Sequence, residues 1–149
     1  IAWGDKKLRL QYVDVATKQV TLVNQGKAWE IRDFNWSPDS KWIAYSRQET
    51  DSMNKIRIYG LETKATTDVT DGWHASNNPV FSSDGKYLFF ASARDFNPIY
   101  SQTEWNHAYV DMERIYLAIL SKDTETPFKT KGEDAPAPAG AAPGPQPPK

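Results

Sequence analysis

Apolar residues in this chain recur at every second position over short runs. Leu8, Leu10 and Tyr12 alternate with Arg9 and Gln11, and Val13 and Val15 continue with one change of phase. Ile56 and Ile58 alternate with Lys55 and Arg57. Period two puts one side-chain set on each face of a strand. The runs at 42–47 and 87–93 likewise give a helix no single buried face. Small polar clusters bound the runs, as turns require. The reading is all-β: a strand end at 1–3, a turn at 4–7, a strand from Leu8 with a bulge in its phase change, and an outer strand at 20–23. Strands follow at 33–36, 42–47, 55–61, 67–70, 79–81, 87–93 and 114–120, with a short remnant near Phe128.

The pattern also repeats. Trp36-Ser37-Pro38-Asp39-Ser40-Lys41-Trp42-Ile43-Ala44-Tyr45-Ser46 returns as Phe81-Ser82-Ser83-Asp84-Gly85-Lys86-Tyr87-Leu88-Phe89-Phe90-Ala91-Ser92, a step of 45 residues (36 to 81). Gly26 returns as Gly72 and Thr17-Lys18 as Thr63-Lys64, a step of 46. Short strands around tight turns with this period predict β-propeller blades of four antiparallel strands. Asp39 can bond its own backbone two residues on, and Gly85 can take φ > 0 freely. The expected organisation is an incomplete propeller over 1–130: a half blade at 1–31, a blade at 32–78 and a blade at 79–130. A ring of at least about four such blades does not fit into 149 residues, so the chain reads as part of a larger protein.

The last blade carries an insertion. Twenty residues separate Trp36 from Ile56, and 34 separate Phe81 from Ile115. The 14 extra residues lie within 95–112 and include Phe96, Tyr100, Trp105, His107 and Tyr109. Long loops in compact domains are functional or disordered, and this one is too aromatic for disorder. Residues 131–149 are different: Ala, Pro and Gly with a few charges and no apolar side chain larger than Ala. They are expected to form a disordered, extended linker of polyproline character, with a further domain beyond.

Composition narrows the chemistry. The net charge of −1, with no basic stripe, argues against nucleic-acid binding. The absence of Cys excludes disulfides and thiol catalysis. No apolar run approaches the roughly 20 residues of a membrane span, and no signal peptide is visible, which in a chain starting mid-blade assigns no compartment. There is no Gly-x-Ser-x-Gly elbow and no phosphate loop. His74 and His107 lack zinc-pair spacing, so no metal or cofactor is expected. His74, Ser76 and Asp71 could be drawn as a triad, but triads are defined by geometry and not by proximity in sequence, and His74 is read as a polar loop residue between blades. Asp14 and Asp39 sit in turn or strand-end contexts, where backbone bonding explains them.

The repeat resembles the WD40-like blades of TolB-type and tricorn-type propellers. A more specific resemblance lies in Ala93-Arg94-Asp95-Phe96-Asn97-Pro98-Ile99-Tyr100-Ser101-Gln102-Thr103-Glu104-Trp105-Asn106-His107, with Met112-Glu113-Arg114-Ile115-Tyr116-Leu117 and Leu120-Ser121-Lys122-Asp123-Thr124. It is similar to the tricorn protease homologues, large S41-type serine peptidases with tandem propellers, a PDZ domain and a separate catalytic core. The resemblance covers residues 1 to about 128. It implies the final blades of the first propeller, a joint to the second in the Pro-rich tail, and no catalytic residue in this segment. Implied partners are peptide substrates and the parent's other domains, with homo-oligomerisation open. Homologues occur with and without export signals, so the lean is to a bacterial periplasmic or extracytoplasmic location, with the cytoplasm open.

In a meander of blades, loops 25–32, 48–54, 71–78 and 95–112 emerge on one face. Trp29 is expected on this rim, as are the candidate interaction residues Trp73, His74, Arg94, Tyr100, Glu104, Trp105 and His107. The insertion either packs against a neighbouring domain or contacts substrate. Two functions fit: a non-catalytic propeller that guides or filters peptides and supports domain assembly in a serine peptidase, or a TolB-like binding scaffold with no peptidase attached.

Overall fold

The computed structural model describes residues 1–51, 53–100 and 107–128. The expected linker at 131–149 lies outside the described residues. Every strand pairing is antiparallel, and no helix occurs among the described residues. The first sheet has three strands, β1 (Ala2–Gly4), β2 (Arg9–Val13) and β3 (Val20–Gln25). The second is a full four-stranded meander of β4 (Phe34–Trp36), β5 (Trp42–Gln48), β6 (Asn54–Gly60) and β7 (Thr66–Asp68). The third joins β8 (Ser76–Phe81), β9 (Tyr87–Ala93) and β12 (Glu113–Ile119). Within the insertion, β10 (Pro98–Tyr100) and β11 (His107–Tyr109) pair as a separate hairpin.

The two strand-one to strand-two turns are near copies, as the repeat predicts. Ser37 Oγ donates to Asp39 Oδ1 (2.5 Å), the Lys41 amide donates to the same oxygen (3.1 Å), and the Trp42 amide donates to Ser37 Oγ (2.9 Å). Ser82, Asp84, Lys86 and Tyr87 repeat all three bonds at 2.6, 3.1 and 3.0 Å. Both turns need a left-handed residue. Gly85 supplies it at φ 70° and Ser40 at φ 59°, the latter against a steric preference.

Three expectations are revised. The bulge lies in the β2–β3 pairing, where Leu10 faces Asn24 but Gln11 faces Leu22, so the extra residue is Val23 on β3. Leu8 precedes β2 at φ 63°, and Val15 is exposed beyond its end. The strand near Phe128 does not form: 126–128 is a turn region with an exposed Phe128. There Pro127 has no N–H to give a ladder, and the chain has already turned at Ser121–Thr124.

The core lies between sheets. Leu10, Tyr12, Val23 and Ile31 meet Ile43, Tyr45 and Tyr59 at the first interface. Ala44 and Ile56 meet Phe81, Leu88 and Phe90 at the second. Consecutive residues of β5 therefore point into different cores, and Ile43, Ala44, Tyr45 and Ser46 are all buried. Side-chain bonds tie sheet to sheet. Asn24 Nδ2 donates to the Tyr45 hydroxyl (2.6 Å), and the Phe81 amide donates to Asn35 Oδ1 (3.1 Å). Lys64 donates to the Tyr12 hydroxyl and also stands over that ring.

Ile43 is fully buried in the first core. Ile43→Ala should therefore lower stability by about 2–5 kcal/mol in a urea titration. Trp42→Ala, at a half-exposed position of the same strand, should cost clearly less. Equal losses would contradict the half-exposed placement of Trp42.

Candidate functional site

Antiparallel pairing sends connections 26–33, 49–53, 69–75 and 94–112 to the same end of their sheets. This rim displays large aromatic side chains: Trp29 is 63% and Trp73 79% exposed, and Phe96, Tyr100 and Tyr109 are also open. The loops that carry them are held down. A Cβ on Gly26 would stand 2.2 Å from the Trp29 carbonyl oxygen, and one on Gly4 2.7 Å from that of Ile31. Ile31 is buried beneath. Gly72, at φ 86°, packs against the Lys55 stem, and Asn54 at the start of β6 donates to Asn77 on β8.

The predicted rim residues fall in two groups. Trp73 is presented by an Asp71 turn, its amide donating to Asp71 Oδ1 (3.0 Å). That bond holds the Asp71 carboxyl below its ordinary value, and the nearby Arg94 guanidinium adds to it. Asp71, Trp73 and His74 lie on one short connection, and Arg94 stands near enough to act on the Asp71 carboxylate. The Arg94 guanidinium lies 4.4 Å from the Tyr116 ring centroid and 6.0 Å from that of Phe90, and its Nε donates to Ser92 Oγ (3.1 Å). The hairpin forms the second group. Tyr100 stands opposite His107 in register, and Phe96 meets Tyr109 at 5.7 Å between centroids. Asp95 and Arg114 clamp its base at 3.0 Å. Glu104 and Trp105 lie outside the described residues.

The drawn triad is not assembled. Ser76 Oγ is buried, donates to the His74 carbonyl oxygen (3.2 Å) and shares a hydrogen bond with Ser92 Oγ (2.9 Å). The Asp71 carboxylate is turned to the Trp73 amide.

An ion-pair network behind the rim was not singled out by sequence reasoning. Arg57 Nε donates to Asp68 Oδ1 (2.6 Å). Its Nη1 stands 2.6 Å from Glu49 Oε1 as an ion pair, without hydrogen-bond alignment to any acceptor. Arg47 grips both Glu49 oxygens (3.0 Å each) and reaches Asn24 Oδ1 (2.8 Å) on the first sheet. The available signal was register: Arg57 alternates with Ile56 and Ile58, so it shares the inward face of Tyr59. Burial raises the Glu49 carboxyl, but the bonds from Arg47 and the ion pair with Arg57 outweigh it and leave it lowered. Asp68 is lowered first by its bond from Arg57. Among the described residues no group of acidic and histidine side chains is placed to hold a metal, and no helix is long and apolar enough to cross a membrane.

Successive antiparallel sheets packed face to face, with connections gathered on one rim, define a β-propeller segment. The sequence model of the tricorn protease second beta propeller domain matches residues 1–140. The chain belongs to this tricorn propeller family. The matched propeller is the second of the tricorn protease, which corrects the expectation that these blades end the first. A Streptomyces coelicolor relative named as tricorn protease homolog 2 is 36% identical over 117 residues, covering 76% of this chain and 10% of that protein. Tricorn protease homolog 1 of the same organism is 28% identical over 120 residues, covering 80% and 11%. The crystal structure of the tricorn protease superposes with a TM-score of 0.80 at 23% identity, covering 93% of this chain and 14% of that one. This last likeness concerns the fold. The chain spans about a tenth of the length of these two curated relatives.

The lowered carboxyls set a direction with pH. Groups depressed in the folded state contribute stability above their unfolded values, near 4, and lose it as pH falls through the folded ones. Unfolding free energy should therefore drop progressively below about pH 5. Glu49→Gln should flatten that slope, as read from urea titrations at a series of pH values. An unchanged slope would remove Glu49 from the acid response.

Proposed function

We propose that this segment is a non-catalytic propeller wall of a large tricorn-like serine peptidase. In this reading it guides or filters extended peptides toward a catalytic core elsewhere in the parent and supports the docking of neighbouring domains. The observation that carries the reading is the rim: exposed aromatic side chains on loops anchored by close glycine contacts. Flat, pre-positioned rings offer an unfolded peptide sequence-tolerant contact at low entropic cost. Membership in the tricorn propeller family supports the link to a peptidase, and the commitment of Ser76 to Ser92 and a carbonyl supports a role without chemistry of its own.

Two measurements test it. The segment alone should turn over neither unstructured peptides nor esters; turnover abolished by Ser76→Ala would overturn the non-catalytic reading. In the parent, Trp73→Ala or Trp105→Ala should lower kcat/KM for long peptides by about tenfold, the value of one aromatic contact of roughly 1.5 kcal/mol. Cleavage of very short substrates should stay nearly unchanged. Equal loss on both, with assembly intact, would contradict guiding. Undiminished long-peptide cleavage with loss of a bound protein partner would favour a scaffold role of the TolB kind.

A further inference from the structure

The rim has a second feature. The link from β3 to β4 and the end of the β5–β6 hairpin enclose a cleft of about 410 Å³. Trp29 forms part of its wall, with Glu30, Arg32, Asp33 and Ser46. Gln48 and Asn54, opposite one another at the hairpin end, complete it.

The charges in this cleft are unequally committed. Glu30 is paired with Arg32 at 2.8 Å, and Arg32 extends into solvent. The half-buried Asp33 carboxylate meets only the Ser46 hydroxyl, at 3.5 Å, among its described hydrogen-bond and ion-pair contacts. The fold itself fixes Asp33 through its backbone, whose carbonyl accepts the Ser46 amide (2.9 Å). Nothing in blade construction demands the acid. The next blade has Asn77 opposite Ala91 at the matching place, with an amide for the carboxylate and a methyl for the hydroxyl. A carboxylate with spare acceptor capacity, beside an indole on an anchored loop, matches one ligand chemistry. A cation on a slender stem lays its methylenes along the ring and its charge on the acid.

We propose that this cleft is a subsite for a lysine or arginine side chain of an extended peptide crossing the rim. The link that bears Asp33 leads into β4, the first strand of the four-stranded sheet, and such first strands line the central channel of a propeller. A peptide moving along that mouth passes Asp33. The inference rests on the guiding role proposed above and adds a preference in side-chain charge to it.

The test is direct binding, separate from cleavage. Labelled extended decapeptides with a central Lys, Arg, norleucine or Glu are titrated by fluorescence anisotropy into the intact protein that carries this segment. Lys and Arg peptides should bind about tenfold tighter than the norleucine peptide, a difference of roughly 1.4 kcal/mol, and the Glu peptide weakest. Asp33→Asn and Trp29→Ala should each abolish that advantage, whereas Trp29→Phe should keep most of it. The advantage in the unsubstituted protein should shrink as salt rises, a readout independent of any variant's folding. Equal binding of Lys and norleucine peptides, or an advantage that survives Asp33→Asn, would overturn the subsite. So would N-acetyl-lysine amide alone binding as tightly as the peptide, since the occupant would then be a free amine. Retained discrimination between long and short substrates, without any charge preference, would remove the subsite and leave the guiding role standing.

Discussion

A propeller blade has two apolar faces and can bury neither by itself, and the rest of this structure follows from that constraint. The second sheet shows it most fully. Ile43 and Tyr45 enter the core shared with the first sheet, while Ala44 and Ile56 enter the one shared with the third. A strand buried on both faces leaves no outlet for polar groups, so each must find a partner within the interface. The Tyr45 hydroxyl takes its bond from Asn24 on the neighbouring sheet, and Ser92 bonds Ser76 across its own. The outer sheets show the same constraint unmet. Val20 and Leu22 on one side, and Val80, Ile115 and Ile119 on the other, stay exposed. Ile115 and Leu117 occupy the positions that Ile56 and Ile58 fill in the buried sheet.

What the sequence made legible was local. Ser-x-Asp turns organise their own hydrogen bonds within six residues, so their spelling predicts their geometry and their recurrence predicts the blade period. Period-two runs marked the strands to within a few residues for the same reason. The misread elements depend on partners distant in sequence. Phe128 looked like the end of a fourth strand because an apolar residue stood at about the right distance. Whether it pairs depends on the path of 120–128, which Pro127 diverts. The insertion showed itself by length and aromatic content, but not that 98–100 and 107–109 would pair. The cleft beside Asp33 was invisible because its walls come from two connections that meet only after the second sheet has folded.

The ion-pair network behind the rim is better understood as a device of register than of net stability. Desolvating Arg57 and Glu49 offsets most of what their attraction returns, and an apolar replacement of similar shape could be as stable. Such a replacement would lose directional linkage. Arg47 joins Glu49, just past the end of β5, to Asn24 on the first sheet, while Arg57 joins that same carboxylate to Asp68 on β7. One loop residue is thereby fixed against two sheets. A one-residue slip of β5 against β6 would exchange every inward and outward side chain and strand these charges in apolar surroundings.

This linkage connects scaffold to surface. Glu49 directly follows Gln48, which lines the Asp33 cleft, and the network therefore sets where that wall stands. On the other side of the cleft the same task falls to Gly26, Gly4 and the buried Ile31, which hold the Trp29 loop from beneath. The residues that position the cleft and those that give it its chemistry are thus different sets. The first are held by packing and charge pairing that the blade fold requires. The second can change from blade to blade, as the substitution of Asn77 and Ala91 for an acid and a hydroxyl shows. A repeat fold separates the two demands in this way. Each blade repeats the solution to its burial problem, and each rim is free to carry its own chemistry.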